Sequence, residues 1–132
     1  MITENDIYDY VYTKVNTAFP DAYIASKFEP IPAAFPAVFV REIGNFSNQQ
    51  NVSLGGSQGV ITSTFEVQIC SNKVDSPKSE VRAIEDAVDA AFVSLRYIIT
   101  GKNILEDGDN GIYRKRLTYR RIWGDAETVP TA

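Results

Sequence analysis

The sequence contains no histidine and only one cysteine, Cys70, among its 132 residues. Histidine is the commonest general base and the commonest metal ligand, so its absence removes most of the familiar classes of enzyme. A lone cysteine excludes a disulfide within the chain, and Cys70 has no histidine to activate it as a nucleophile. The sequence therefore predicts a structural thiol in a protein that assembles in the cytosol.

Long hydrophobic runs are also missing. No apolar run approaches the roughly 20 residues that a membrane-spanning helix needs, so no membrane partner is expected. The first residues are acidic and lack the basic and apolar segments of a secretory signal. Hydrophobic residues make up 44% of the chain and charged residues 23%, as is typical of globular domains. Length and composition together predict one domain that spans residues 1–132.

Acidic side chains are absent from residues 112–123, although the formal net charge of the whole chain is −4. The basic residues of that stretch are Arg114, Lys115, Arg116, Arg120 and Arg121. The rest of the chain is correspondingly more acidic. Charge separated in this way favours contacts with other protein surfaces.

Two amphipathic helices are predicted. The longer spans residues 76–97, with Ser76 as N-cap and Pro77 at the first helical position. Its apolar residues recur at steps of three and four and form one stripe: Val81, Ile84, Val88, Ala91 and Leu95. Glu85, Asp86 and Asp89 fall mainly on the other side and predict a solvated face. The first helix has Thr3 as N-cap and ends near Phe19.

Four strands are predicted, over residues 22–28, 35–43, 60–71 and 112–123. The last two alternate clearly. Ile61, Phe65, Val67 and Ile69 share one face of the third strand. Tyr113, Leu117, Tyr119 and Trp123 share one side of the fourth, and Arg114, Arg116 and Arg120 lie on its other side. Residues 44–59 and 100–111 are predicted loops, and residues 124–132 a frayed tail.

This order of elements predicts an α+β fold. Its mainly antiparallel β-sheet is covered on one face by two α-helices, and it carries a long polar loop.

No stretch predicts catalysis, a metal or a cofactor. Residues 107–111 resemble the start of a calcium loop, but the position of the closing glutamate is Thr118, so a plain turn is the better interpretation. The glycines of residues 55–59 lack the lysine and the following helix of a phosphate-binding loop. Without a histidine, Glu85 and its acidic neighbours have nothing to separate their pKa values for acid–base chemistry.

The basic strand has two interpretations. Arginines interleaved with aromatic residues are able to bind nucleic acid by phosphate contact and stacking. The alternation, however, places most arginines on one face and most aromatics on the other, which indicates an apolar underside and an exposed charged surface. A protein–protein surface is favoured, and a nucleic-acid-binding accessory domain remains the alternative.

The pattern as a whole resembles the tail terminator proteins of long-tailed bacteriophages, also called tail completion, head–tail joining, neck or minor capsid proteins. The residues that carry the resemblance are the first helix, residues 35–40 leading into a polar loop, residues 64–69, the long amphipathic helix and residues 111–120.

The resemblance implies a non-enzymatic virion protein located at the tail–neck junction and assembled in the host cytoplasm. It implies a homo-oligomer, a hexameric ring, whose partners are itself, the tail tube protein and a head–neck connector protein. Arg114, Arg116 and Arg120, with Asn48, Gln49, Gln50 and Asn51 of the loop, are then candidate protein contacts. Another neck component also fits the pattern.

Overall fold

Two α-helices and five β-strands follow one another along the chain in the computed structural model, which describes residues 2–47, 60–107, 111–124 and 127–130. They are helix α1 (Glu4–Ala18), strands β1 (Tyr23–Ala25), β2 (Ala37–Ser47) and β3 (Val60–Ser71), helix α2 (Pro77–Ser94), and strands β4 (Ile98–Asp107) and β5 (Ile112–Gly124).

The strands form one sheet in the order β1-β2-β3-β5-β4. Strand β1 pairs with β2 in parallel, and the other three pairs are antiparallel. Strands β1 and β4 are therefore the two edges. This architecture confirms the predicted α+β fold with a mainly antiparallel sheet.

Both helices pack on the same face of the sheet, as predicted. Phe65 and Tyr119 are buried under α2, where the rings of Phe92 and Tyr119 stack with centroids 4.2 Å apart. Val11 and Val15 bring α1 into the same core cluster. Aromatic pairs of this kind contribute beyond the area they bury, and here they join the helix layer to β3 and β5.

The two helix starts differ. Thr3 caps α1 as predicted, since its hydroxyl accepts from the backbone N–H of Asp6 and the Asp6 side chain accepts from the N–H of Thr3. Ser76 precedes Pro77 as predicted, but its φ of 57° is left-handed and its side chain makes no cap hydrogen bond. Ser76 therefore occupies the predicted N-cap position, but its side chain adds no capping hydrogen bond, because its backbone is not extended there.

The largest error of the sequence interpretation is at residues 100–111, which were predicted as a loop. Residues 98–107 form β4, paired along its length with β5. Gly101, which indicated a loop, lies at a shift in the register of this pair. Strand β2 likewise continues to Ser47, past the predicted loop start at Gly44, and the first predicted strand shortens to β1.

The C-terminal segment is held at residues 127–130. The Glu127 carboxylate accepts from the backbone N–H of Gly124 at 2.7 Å and pairs with Arg121, and Val129 packs against the main core. Glu127 and Val129 thus contact the sheet and the main core, and the frayed tail over residues 124–132 stays a prediction.

Candidate protein-contact surface

The face of the sheet opposite the helices is called the open face here. Across it, the register places side chains in rows that run from strand to strand. One row is Phe39, Gln68, Arg116 and Asn103, the next holds Arg41, Glu66 and Thr118, and the row beyond holds Thr64, Arg120 and Ile98. The last row is Phe46, Thr62 and Ile122.

One end of the open face is covered by the connection between β1 and β2. Phe28 and Phe35 from this connection pack on Phe39 and Cys70 of the sheet in a second, smaller core cluster. Cys70 is buried there, as expected of a structural thiol.

Arg114 fastens this connection to the sheet. Its guanidinium donates to the carbonyl of Pro30 at 2.8 Å and to the Gln68 side chain at 3.2 Å. It also lies over the Phe28 ring, 4.9 Å from the centroid. Arg114 is only 3% exposed. The alternation of β5 placed it on the correct face, but the predicted exposure is wrong, because the connection folds back over this row.

Arg116 and Arg120 lie beyond that cover. Arg120 is exposed and Arg116 half-buried, and neither makes an ion pair with any residue that the structure describes. Their Cα atoms are about 13 Å apart, four residues along a strand. The nearest acidic side chain on this face, Glu66, is already held by Arg41 at 3.5 Å and by the Gln68 amide at 2.6 Å. Arg116 and Arg120 are therefore two cations without a counterion among the described residues, on rows of the open face whose other charges, Arg41 and Glu66, pair with each other.

The uncovered end of the open face is apolar, which the sequence interpretation missed. Phe46 is 67% exposed, Ile122 52% and Ile98 71%. The Phe46 ring lies close over Gly44, where a Cβ atom would come within 3.0 Å of it. Ile122 lies on the same side of β5 as the arginines, so its place on the open face follows from the alternation of β5. The place of Ile98 does not follow from the sequence interpretation, because strand β4 was not predicted.

On the helix side, Glu85 is buried rather than solvated, which corrects the prediction for this residue, whereas Asp86 is exposed as predicted. Glu85 is 5% exposed, and its carboxylate accepts hydrogen bonds from Lys115 at 2.6 Å and from Lys102. Lys102 also reaches Asp89 at 3.2 Å, and the Tyr119 hydroxyl donates to Asp89. Helix α2 is thereby tied to both β4 and β5.

Glu85, Lys102 and Tyr119 of this cluster have shifted pKa values. Burial alone would raise the pKa of Glu85, but the hydrogen bonds from Lys102 and Lys115 outweigh it and hold the pKa below its ordinary value. The hydrogen bond to Glu85 raises the pKa of Lys102. Burial, reinforced by Asp89, raises the pKa of the Tyr119 phenol. The hydrogen bonds of the cluster therefore stabilise the charged forms of Glu85 and Lys102.

The remaining predicted contact residues lie outside the residues that the structure describes: Asn48, Gln49, Gln50 and Asn51. The centre of the predicted turn, residues 108–110, also lies outside them. Within the described parts of the chain, no three His, Cys, Asp or Glu side chains come together as a metal site. No helix in those parts is both long and apolar enough to cross a membrane.

No protein-family model matches the sequence, and no curated protein sequence matches it either. Among solved structures, the fold is similar to that of a chain in the virion of a native gene transfer agent particle. The TM-score is 0.50 at 17% sequence identity, over 88% of this chain and 90% of that chain. A weaker similarity, with a TM-score of 0.44 and 9% identity, is to the PVC sheath/tube terminator of an extracellular contractile injection system in its extended state. It covers 100% of this chain and 61% of that one.

The first similarity shows that this chain shares its fold with a chain of a phage-like virion. It supports the fold that the resemblance to tail terminator proteins implies.

Proposed function

We propose that this protein is a structural virion subunit of a phage or phage-like particle, one that forms a ring, terminates the tail tube and joins the tail to the head. It acts by binding other proteins and has no enzymatic role. Its partners are further copies of itself, the tail tube protein and a head–neck connector protein. It assembles in the host cytoplasm and resides at the tail–neck junction.

The observation that carries the proposal is the open face, in a fold shared with a virion chain. A two-layer α+β fold buries one face of its sheet under helices, and here no described element covers much of the other face. On that face Arg116 and Arg120 offer charge that selects an acidic partner, while Phe46, Ile98 and Ile122 offer apolar area. Repeated weak contacts of this kind become a stable assembly when symmetry closes them into a ring.

The experiment has two parts. Light scattering of the purified chain across a concentration series, at low and moderate salt, measures its oligomeric state. Co-sedimentation with tubes of the tail tube protein from the same particle measures end-capping. A discrete hexamer, or a monomer that becomes a hexamer when tubes are added, supports the proposal. A monomer at every concentration that ignores tubes overturns it. A ring that ignores tubes but binds the connector identifies another neck component instead.

Charge reversal tests whether the open face makes the contact. The double change Arg116→Glu and Arg120→Glu should weaken tube binding by about tenfold or more, since it turns attraction into like-charge repulsion. The matched control is Arg82→Glu, an exposed arginine on helix α2 on the other side of the sheet. Equal losses in both variants would remove the open face from the proposal.

The nucleic-acid alternative makes a different prediction from the same variants. Binding of duplex DNA that falls steeply with salt, and that the double charge reversal abolishes, would favour it over the ring proposal.

A further inference from the structure

The most exposed apolar side chains of the sheet are concentrated at one end of the open face. Ile122 of β5 stands beside Thr62 of β3, which stands beside Phe46 of β2. Ile98, the first residue of β4, is directly opposite Arg120 in the neighbouring row. These three side chains, Phe46, Ile98 and Ile122, are called the apolar end. No described element covers them, unlike the opposite end, which the connection between β1 and β2 covers.

A groove of about 470 Å³ adjoins the apolar end, lined by Arg96, Ile98, Thr100, Arg120, Arg121 and Ile122. Of the three arginines that line the groove, Arg121 already makes contacts within the chain. Its guanidinium donates to the Leu95 carbonyl at 2.6 Å, pairs with Glu127 and stacks on Trp123 at 3.4 Å from the ring centroid. Arg96 and Arg120 are exposed, and neither makes an ion pair with a residue that the structure describes.

Strand β4 adds a third feature to this groove. It is an edge strand of ten residues with a partner only on its β5 side among the described strands. Edge strands are commonly guarded by an outward lysine or by proline. Here the one lysine of β4, Lys102, is tied to Glu85 and Asp89 of the same chain, and the strand has no proline. A register shift between Ile99 and Gly101 interrupts this edge, and at Ile98, before the shift, no described strand pairs with the outer side of β4. An extended segment of a partner is able to lie there.

We infer that the apolar end and its groove bind an extended segment of a partner protein that presents aliphatic and acidic side chains together on the side facing this chain. The aliphatic side chains lie on Ile98 and Ile122, and the carboxylates pair with Arg96 and Arg120. Apolar area without a charge partner would accept any hydrophobic surface. Arg96 and Arg120 lie beside this apolar area and select an acidic segment. They disfavour a basic segment, because burying two like charges together would remove water from both without a compensating ion pair.

This inference rests on the proposed function, since it names the chemistry by which the ring would hold its partner. It goes further in placing a defined contact at Ile98, Arg120 and Ile122, which line the groove.

The test uses the full-length chain, labelled at the δ1 methyl groups of isoleucine so that NMR signals are observable even in a large ring. The probe is a seven-residue peptide in which isoleucine and glutamate take turns at every second position, with threonine between them, so that both side chains lie on the same side of the extended peptide. Two control peptides replace its glutamates with lysine or its isoleucines with serine. The methyl signals of Ile98 and Ile122 should shift on titration, while those of Ile31 and Ile104, exposed elsewhere, should stay unchanged. Each control peptide should bind about tenfold more weakly or not at all, because each lacks one half of the match.

Two variants and a matched control locate the site. Arg120→Glu and Ile122→Thr should each weaken the acidic peptide by about three- to tenfold. Arg82→Glu, at an exposed arginine of helix α2 on the other side of the sheet, should leave the affinity for the acidic peptide within about twofold. Both changed side chains are exposed, so the variants should fold, and unchanged methyl signals of the buried isoleucines Ile7 and Ile84 verify this.

Several results would overturn the inference. They are equal binding of the lysine peptide, shifts confined to other isoleucines, or an Arg82→Glu loss as large as that of Arg120→Glu. Shifts of Ile98 and Ile122 on concentrating the chain without peptide would identify a second copy as the occupant. Larger shifts with a DNA duplex would identify nucleic acid.

The inference and the proposed function can fail separately. A chain that forms rings and binds tubes but shows no peptide response keeps its proposed function and loses this site. A chain that binds the acidic peptide but neither forms rings nor meets tubes keeps the site and loses the proposed function.

Discussion

The Glu85 carboxylate accepts a hydrogen bond from the Lys115 ammonium at 2.6 Å, across the contact between helix α2 and strand β5. The same carboxylate accepts from Lys102 of β4. One nearly buried acid thus joins the helix layer to two strands, and both lysines keep part of their side chains in water. Replacing Glu85 with a neutral residue should therefore change the free energy of unfolding by a measurable amount.

Glu85→Gln should lower the free energy of unfolding by about 1–3 kcal/mol, because it leaves two ammonium groups without their shared carboxylate. Urea unfolding at one fixed protein concentration measures this loss. The control is Asp86→Asn, the neighbouring exposed acid, which should change the free energy by less than about 0.5 kcal/mol. Equal effects of the two substitutions would contradict the role of the cluster.

The pH dependence of this loss has a defined sign. Since the pKa of Glu85 is lowered in the folded protein, its contribution is present above the ordinary value of 4.5 and is lost as the pH falls through the lower folded pKa. The difference in unfolding free energy between the natural chain and Glu85→Gln should therefore shrink in acid. Lys102, whose pKa is raised, contributes below 10.5 and loses its contribution as the pH rises through the folded value. A difference that grew on acidification would show that the carboxylate is not stabilised by its lysines.

Arg114→Ala should destabilise the protein by about 2–3 kcal/mol, since it removes two hydrogen bonds of a charged group and the contact with Phe28. The connection over residues 26–36 should also become more accessible, which limited proteolysis detects as faster cleavage there. Arg116→Ala is the control, and it should leave both stability and the cleavage pattern nearly unchanged. Cleavage unaltered by Arg114→Ala would mean that the two phenylalanines hold the connection without it.

Tyr97→Phe tests the polar contacts inside the main core. The Tyr97 hydroxyl accepts from the indole N–H of Trp123 at 3.1 Å and bonds the Ser63 hydroxyl at 2.8 Å. Removing it leaves a buried indole donor unpaired, at a cost of about 1–3 kcal/mol. Trp123 is the only tryptophan, so its fluorescence reports both unfolding and the changed surroundings. Tyr12→Phe, on the exposed side of α1, is the matched control.

Ser76→Gly should stabilise the protein by about 0.5–1 kcal/mol. A left-handed φ of 57° strains any residue with a Cβ atom, and the Ser76 side chain makes no cap hydrogen bond that would be lost. A thermal unfolding midpoint higher by a few degrees is the expected result. Had Ser76 capped α2 in the way its sequence position suggested, the same change would lower the midpoint.

The sequence by itself determined the two helices, the faces of β3 and β5 and the α+β class. Those features follow from local periodicity. Val81, Ile84 and Val88 define a helix stripe wherever the helix packs, and alternation in β5 separates Leu117 and Tyr119 from the arginines before any partner strand is known. The same alternation also predicts that Arg116 and Arg120 lie on the face of the sheet opposite the helices.

Only the tertiary structure decided which of these residues are exposed. Arg114 is buried because a connection about 84 residues earlier in the chain folds over it, and Glu85 because lysines from two later strands converge on it. The sequence of β4 predicts a loop, and it forms a strand because β5 supplies its hydrogen bonds, which brings Ile98 close to Ile122. Periodicity depends on residues that are near one another in the chain. The burial of a charge, and the formation of a strand with a weak sequence pattern, depend on groups that are distant in the chain.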